Sequence, residues 1–307
     1  MNSIASALGP VFLLILFGAL LRRIGFPGHD FWAKAERLTY FVLFPAMLIH
    51  KLGNADIGDT PVLSTLASIC FMLLAGSALI YLARRHLADN GPAFTSVFQG
   101  GIRFNTYIGL ACADALYGDA GLVIAALVVA LMIPVTNLLC VLTFHLTLHR
   151  GDLGPASIFR SLIRNPLILG CLIGITLNQS GIGLPGWSGD TFALLGSAAL
   201  PLGLLAVGVA LQIHTISSAR RELIGATVQR FLVMPSLMLL AVHWLELPTL
   251  NAQILLLFAS LPTASSAYIL ARQLGGDTVL MANTITVQTL AGFVLTSAWL
   301  VLTQSIY

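Results

Sequence analysis

Ile24-Gly25-Phe26-Pro27-Gly28 returns later in the chain as Ile182-Gly183-Leu184-Pro185-Gly186. Three further pairs keep nearly the same spacing. Pro45 answers to Pro201, each inside an apolar run. Asn105-Thr106 answers to Pro262-Thr263, each in the middle of a hydrophobic segment. Gly118-Asp119 answers to Gly276-Asp277, each just before a long apolar run. The chain therefore reads as two copies of one unit of about 150 residues, with 1–150 as the first copy and 151–307 as the second. Duplicated, interrupted hydrophobic segments are the sequence signature of a transporter and point to its binding site.

Composition sets the solvent. Charged residues make up 9% of the 307 positions and mean hydropathy is +0.92, whereas soluble domains carry about 25% charge. So little polar surface cannot keep a chain of this size in water, and an all-α integral membrane protein with short loops is expected. Cys70, Cys112, Cys140 and Cys171 all lie in apolar runs, which suits buried thiols rather than disulfides. The run from Ile4 to Leu21 ends at Arg22-Arg23 without a small-residue cleavage site. It is read as a retained first helix, not a signal peptide.

A spanning helix needs roughly 20 apolar residues. Ten spans are expected: 4–21, 36–53, 61–83, 94–117, 120–144, 160–178, 191–213, 225–245, 249–271 and 278–304. With the N-terminus outside, the inner loops and helix ends hold Arg22, Arg23, Lys34, Arg37, Arg84, Arg85, Arg150, Arg160, Arg164, Arg220, Arg221, Arg230 and Arg272. The outer loops hold only Lys51, and Arg103 falls inside a span. That asymmetry is a positive-inside signal and places both termini outside. Five spans per copy make the second copy enter from the opposite face, which gives a 5+5 inverted repeat. The segment 146–160 is the natural joint between the halves. The segment from Ser217 to Gln229 is read either as a short helix at the inner surface or as the start of span eight.

Two spans are interrupted near the middle. Span four carries Gly100-Gly101-Ile102-Arg103-Phe104-Asn105-Thr106-Tyr107, and span nine carries Leu261-Pro262-Thr263-Ala264-Ser265-Ser266. Proline removes a backbone donor and clashes with the preceding turn, and glycine weakens a helix. The freed N–H and C=O groups must face protein or a wet cavity, not lipid. Half-helix N-termini then offer donors and a positive dipole end to an anion. A single such proline is usually a packing kink. A matched pair with polar neighbours points to a midplane site.

These stretches, with Arg164-Asn165-Pro166-Leu167-Ile168 and Ala271-Arg272-Gln273-Leu274-Gly275-Gly276-Asp277, resemble the auxin efflux carrier family, which includes plant PIN proteins and bacterial malonate or malate carriers. The resemblance runs over essentially the whole chain. It implies ten helices in an inverted 5+5 repeat with crossed, broken helices four and nine, as in bile acid sodium symporter-like folds. It also implies a scaffold of spans 1, 2, 6 and 7, a transport domain of spans 3–5 and 8–10, a homodimer, and a place in the bacterial cytoplasmic membrane. The crossover asparagine maps onto Asn105 and the span-nine proline onto Pro262. Plant members commonly carry a proline just before that asparagine, where this chain has Phe104.

The candidate substrate-binding residues are Arg103, Asn105, Thr106, Tyr107, Pro262, Thr263, Ser265, Ser266, Asn283 and Gln288. Arg103 stands at a depth where arginine is costly. It is read either as a bidentate partner for a substrate carboxylate or as a structural cap. Asp114 is too far along the helix to pair with it. The run from Asn283 to Thr289 in span ten, with Thr136 and Asn137 in span five, either glues helices or lines the path. No cofactor is expected. No Glu lies at either crossover, which speaks against sodium or proton coupling through a buried carboxylate and leaves coordination by carbonyls and hydroxyls open.

The expected activity is secondary transport of a small mono- or dicarboxylate by elevator-type alternating access. Two other classes were weighed: a membrane sensor or assembly subunit, and an intramembrane serine hydrolase built on Gly186-Trp187-Ser188-Gly189. The hydrolase has little behind it, because that loop recurs at Gly28 without a serine and no HExxH or GxGD motif occurs.

Overall fold

The computed structural model describes residues 2–55, 61–151, 154, 163–212 and 219–306. The start expected for span six at 160–162, Arg160, most of the joint 146–160, and Ser217 fall outside these residues. Within them all regular structure is helical. The helices are α1 (Asn2–Arg23), α2 (His29–Leu38), α3 (Phe44–Gly53), α4 (Val62–Leu82), α5 (Arg84–Leu87), α6 (Gly91–Ile102) and α7 (Thr106–Leu148). They continue with α8 (Pro166–Gln179), α9 (Trp187–Ser197), α10 (Ala199–Ala210), α11 (Arg220–Val228), α12 (Met234–Trp244), α13 (Thr249–Ala259), α14 (Ser266–Leu274) and α15 (Thr278–Ile306).

Six helical runs are long and apolar enough to cross a membrane: 4–23, 62–82, 91–148, 187–210, 220–244 and 278–306. The irregular points have local causes. One π-type turn (Thr39–Leu43) joins α2 to α3, and another (Gln229–Val233) joins α11 to α12. Each is followed at the second position of the next helix by a proline, Pro45 and Pro235. A proline there lacks the N–H that would close the preceding turn, so the turn widens. In α7, Gly118 interrupts the helix at φ 59°, ψ −151°, a conformation open only to glycine.

One open alternative is decided and one expectation changes. The 217–229 stretch, from 220 onward, is the opening of one helical run that continues to Trp244, not a separate surface helix. Arg230, counted among the inner helix ends, is fully buried. Ten residues of continuous helix lie between the Arg220 end and this side chain, which carries it about 15 Å inward.

The tightest packing joins α3 to α8 and α1 to α10. A Cβ on Gly208 would run into the Ile15 carbonyl, and one on Gly170 would meet Pro45 Cα at 2.9 Å. Such close backbone approach is how helices gain dispersion contacts when no hydrophobic effect separates them. On the other side, α6 lies among α7, α11 and α15, while α13 packs on α7, α12 and α15.

Candidate functional site

The site grows from two breaks. Helix α6 stops at Ile102, Arg103 turns to ψ 154° and Asn105 to ψ 102°, and α7 restarts at Thr106. No proline is needed. Asn105 is an N-cap whose Oδ1 accepts from the N–H groups of Tyr107 (3.1 Å) and Ile108 (3.2 Å), which satisfies donors that a new helix leaves open. Phe104 is buried and packs edge-on against Phe258, ring centroids 5.7 Å apart. In the second half α13 ends at Ala259, Pro262 follows, and α14 begins at Ser266 with no side-chain cap.

The breaks are bonded to each other. The Asn105 N–H donates to the Pro262 carbonyl at 2.9 Å. Gln288 of α15 accepts from the Thr263 N–H at 3.0 Å and donates to the Gly100 carbonyl at 3.0 Å. Thr263 Oγ1 donates to the Gln99 carbonyl at 3.3 Å.

Arg230 locks this crossing. Its Nε donates to the Leu261 carbonyl (2.5 Å), its Nη1 to Ile102 (3.2 Å) and its Nη2 to Phe258 (2.6 Å) and Ala259 (2.9 Å). These carbonyls belong to the ends of α6 and α13 and to the break beyond. One buried guanidinium therefore satisfies the orphan acceptors of two helices and sits at their negative dipole ends. No carboxylate pairs with it among the described residues.

The positive ends face the other way. A cavity of about 890 Å³ is lined by Arg103, Asn105, Thr106, Tyr107, Ser265 and Ser266, among others. Across it stand Glu36 and Tyr40 of the first half and Asn165. Asn165 caps α8 as Asn105 caps α7, accepting from Leu167 N–H at 3.0 Å. Three helix N-termini, at Thr106, Pro166 and Ser266, thus border one space. Such ends favour an anion.

Arg103 donates to Asn137 Oδ1 (3.0 Å) and Ser266 Oγ (3.2 Å), not to Asp114. Asn105 Nδ2 and Thr136 Oγ1, on residues of this wall, are buried and have no hydrogen-bond partner among the described residues. Buried polar atoms are rarely left so. Six of the ten residues singled out in the sequence line the cavity. Pro262, Thr263, Asn283 and Gln288 do not, and lie behind the wall in the crossing or in the core of α15. No group of three metal-ligating His, Cys, Asp or Glu side chains occurs among the described residues.

Sequence reasoning missed Glu36, Asn165 and Arg230 as parts of this site. Asn165-Pro166 carried a legible signal, an Asn N-cap followed by proline at the first helical position.

Two comparisons bear on the chain. Residues 155–300 match the family model described as membrane transport protein. A protein of Methanothermobacter thermautotrophicus, named an uncharacterized transporter, is 24% identical over 291 residues, 94% of this chain and 95% of that one. The second half of the chain is thus similar to the membrane transport protein family, and both comparisons support a transporter. The auxin efflux carrier resemblance is borne out at this level. A membrane transport protein is not an enzyme, and Ser188 stands in the first turn of α9, its Oγ donating to the Pro185 carbonyl at 2.7 Å. In this transporter the cavity at the breaks is the candidate substrate site.

Proposed function

We propose that the chain is a secondary carrier that moves a small mono- or dicarboxylate by elevator-type alternating access, binding it in the cavity at the crossed breaks. The observation that carries this is the buried, unpartnered Nδ2 of Asn105, a residue of the cavity lining beside Arg103, where three helix N-termini border the cavity. A carboxylate would accept from Asn105 Nδ2 and Arg103, with Thr106, Tyr107, Ser265 and Ser266 around it. Pro262, Thr263 and Gln288 hold the frame through the bonds between the two breaks.

The reading includes ten crossings in a 5+5 inverted repeat, which the length of one helical run supports. The 58-residue run 91–148 would extend about 87 Å as one helix, far beyond a bilayer core of about 30 Å. The Gly118 interruption supports two crossings there, and Lys51 pairs with Asp119 beside it. The tight α1–α10 and α3–α8 packing supports a scaffold of spans 1, 2, 6 and 7. The remaining spans form the moving part. Both termini lie outside a bacterial cytoplasmic membrane by the distribution of basic residues, and the scaffold is the expected homodimer face.

The test is uptake by purified protein in liposomes. Labelled malonate, malate, benzoate and indole-3-acetate would be offered with and without sodium and proton gradients. Saturable uptake of at least one acid is expected. Absence of uptake of every acid, by protein of native helical content, would sink the proposal.

A further inference from the structure

Glu36 is the one carboxylate lining the cavity among the described residues, and it also borders a smaller neighbouring cavity of about 320 Å³. It has no cation within 4.0 Å there; the ion pairs are Lys51–Asp119, Arg221–Asp89 and Arg221–Glu222. An acidic side chain in a space otherwise built to attract anions is unexpected, because it opposes the ligand. We propose that anion binding in this cavity takes up a proton on Glu36.

The argument is electrostatic and rests on the anion-carrier function above. Arg37, Arg103 and the helix N-termini share the lining with Glu36, and among the described residues no cation pairs with its carboxylate. A bound carboxylate draws those positive groups to itself. Glu36 is left facing a like charge in a partly desolvated space, and a carboxylate near a like charge gains proton affinity. Proton uptake by Glu36 removes the repulsion, so proton and anion bind with positive coupling.

The neighbours cannot take this role. Arg37 and Tyr40 share its helical stretch, Arg103 and Tyr107 face it across the large cavity, and Arg22 and Tyr268 border the small one. Arginine and tyrosine are not side-chain types that take up a proton near neutral pH. Arg22 is committed to the carbonyls of Val209 (2.7 Å) and Leu211 (2.8 Å). Helix α10, packed on α2, has no titratable side chain.

The test is calorimetry on the purified transporter in lipid nanodiscs at neutral pH. Malonate and benzoate would be titrated in two buffers of different ionisation enthalpy, which counts protons bound per anion. Uptake approaching about one proton is expected in the wild type. Glu36→Gln should abolish the buffer dependence and tighten anion binding about three- to tenfold, whereas a purely structural Glu36 would loosen it on substitution. Glu36→Asp should keep the uptake, so the test survives a poorly folded glutamine variant. Wild-type binding with no buffer dependence, or buffer dependence kept in Glu36→Gln, would overturn the proton link alone. Absence of saturable binding of either acid would overturn the carrier function for these acids and the proton link with it.

Discussion

Asn105 does two jobs at once, and they can be separated. Its Oδ1 caps α7 through Tyr107 and Ile108, while its Nδ2 is buried without a partner among the described residues, in a residue that lines the cavity. Aspartate caps a helix as well as asparagine does, but it replaces the free donor by a second acceptor and adds a negative charge. Asn105→Asp should therefore keep the cap, with any stability loss coming from the added buried charge and not from an open helix end, and lose anion uptake more than tenfold. Asn105→Ala should lose uptake and also about 1 kcal/mol of stability, because the cap goes too. Melting curves in detergent beside liposome uptake read both quantities. Equal melting losses in the two variants would show that the amide, not the cap, carries the stability. The importance of Asn105 was legible in the sequence, since a polar pair in mid-span has few other uses. Glu36 was not, because at the edge of an apolar run a glutamate looks like a solvated helix end.

Helix breaks were legible as elements, and what holds them was not. Gly100-Gly101 and Pro262 mark where the helical ladder weakens, and the structure breaks close to both. Arg230 stayed hidden because its distance from Arg220-Arg221 in sequence says nothing of whether the helix between them runs along the surface or inward. Its removal should be the costliest single change in the chain. Arg230→Met strips the Phe258, Ala259, Leu261 and Ile102 carbonyls of their donor. At about 1–3 kcal/mol for each unsatisfied buried group, relaxation included, a loss of at least 3 kcal/mol is expected. Arg230→Lys supplies fewer donors without the planar fork and should fall between. Size-exclusion profiles and thermal melts of the three forms check the order; a methionine variant as stable as the wild type would contradict it. Gly118 offers a contrast. Nothing lies within 4 Å of a Cβ there, so Gly118→Ala meets no clash and its cost is backbone strain alone, about 1–3 kcal/mol. A melt unchanged by that substitution would mean that the turn into the second part of α7 can adopt another conformation.

At the scale of the whole molecule, the sequence repeat predicted which segments correspond but not which groups slide past each other, because the same apolar residues serve both interfaces. The structure offers an asymmetry that bears on this. Backbones touch at Gly18, Gly170 and Gly208, inside the α1–α10 and α3–α8 pairs. Between those helices and the crossed-break group the contacts include side-chain rings, Phe44 stacked on Tyr107 at 4.7 Å and Phe12 edge-on to Phe293 at 5.3 Å. Ring pairs add about 0.5–1.5 kcal/mol beyond their area and can be exchanged one at a time, whereas interlocked backbones cannot slide. Phe12 and Phe293 lie outside the cavity lining, so a bridge between them tests motion without touching the ligand. In a background with Cys70, Cys112, Cys140 and Cys171 replaced, Phe12→Cys/Phe293→Cys joined by a short bifunctional methanethiosulfonate should lose nearly all uptake and regain it on reduction. Anion binding to the bridged protein should persist in calorimetry. The same bridge within the expected scaffold, Gly18→Cys with Leu205→Cys, is a poor control because Gly18 has no room for a Cβ; Leu13→Cys with Leu202→Cys serves if bridging occurs there, and should leave uptake intact. Uptake that survives a complete Phe12–Phe293 bridge would rule out sliding between these two groups and leave a fixed path through the crossed breaks.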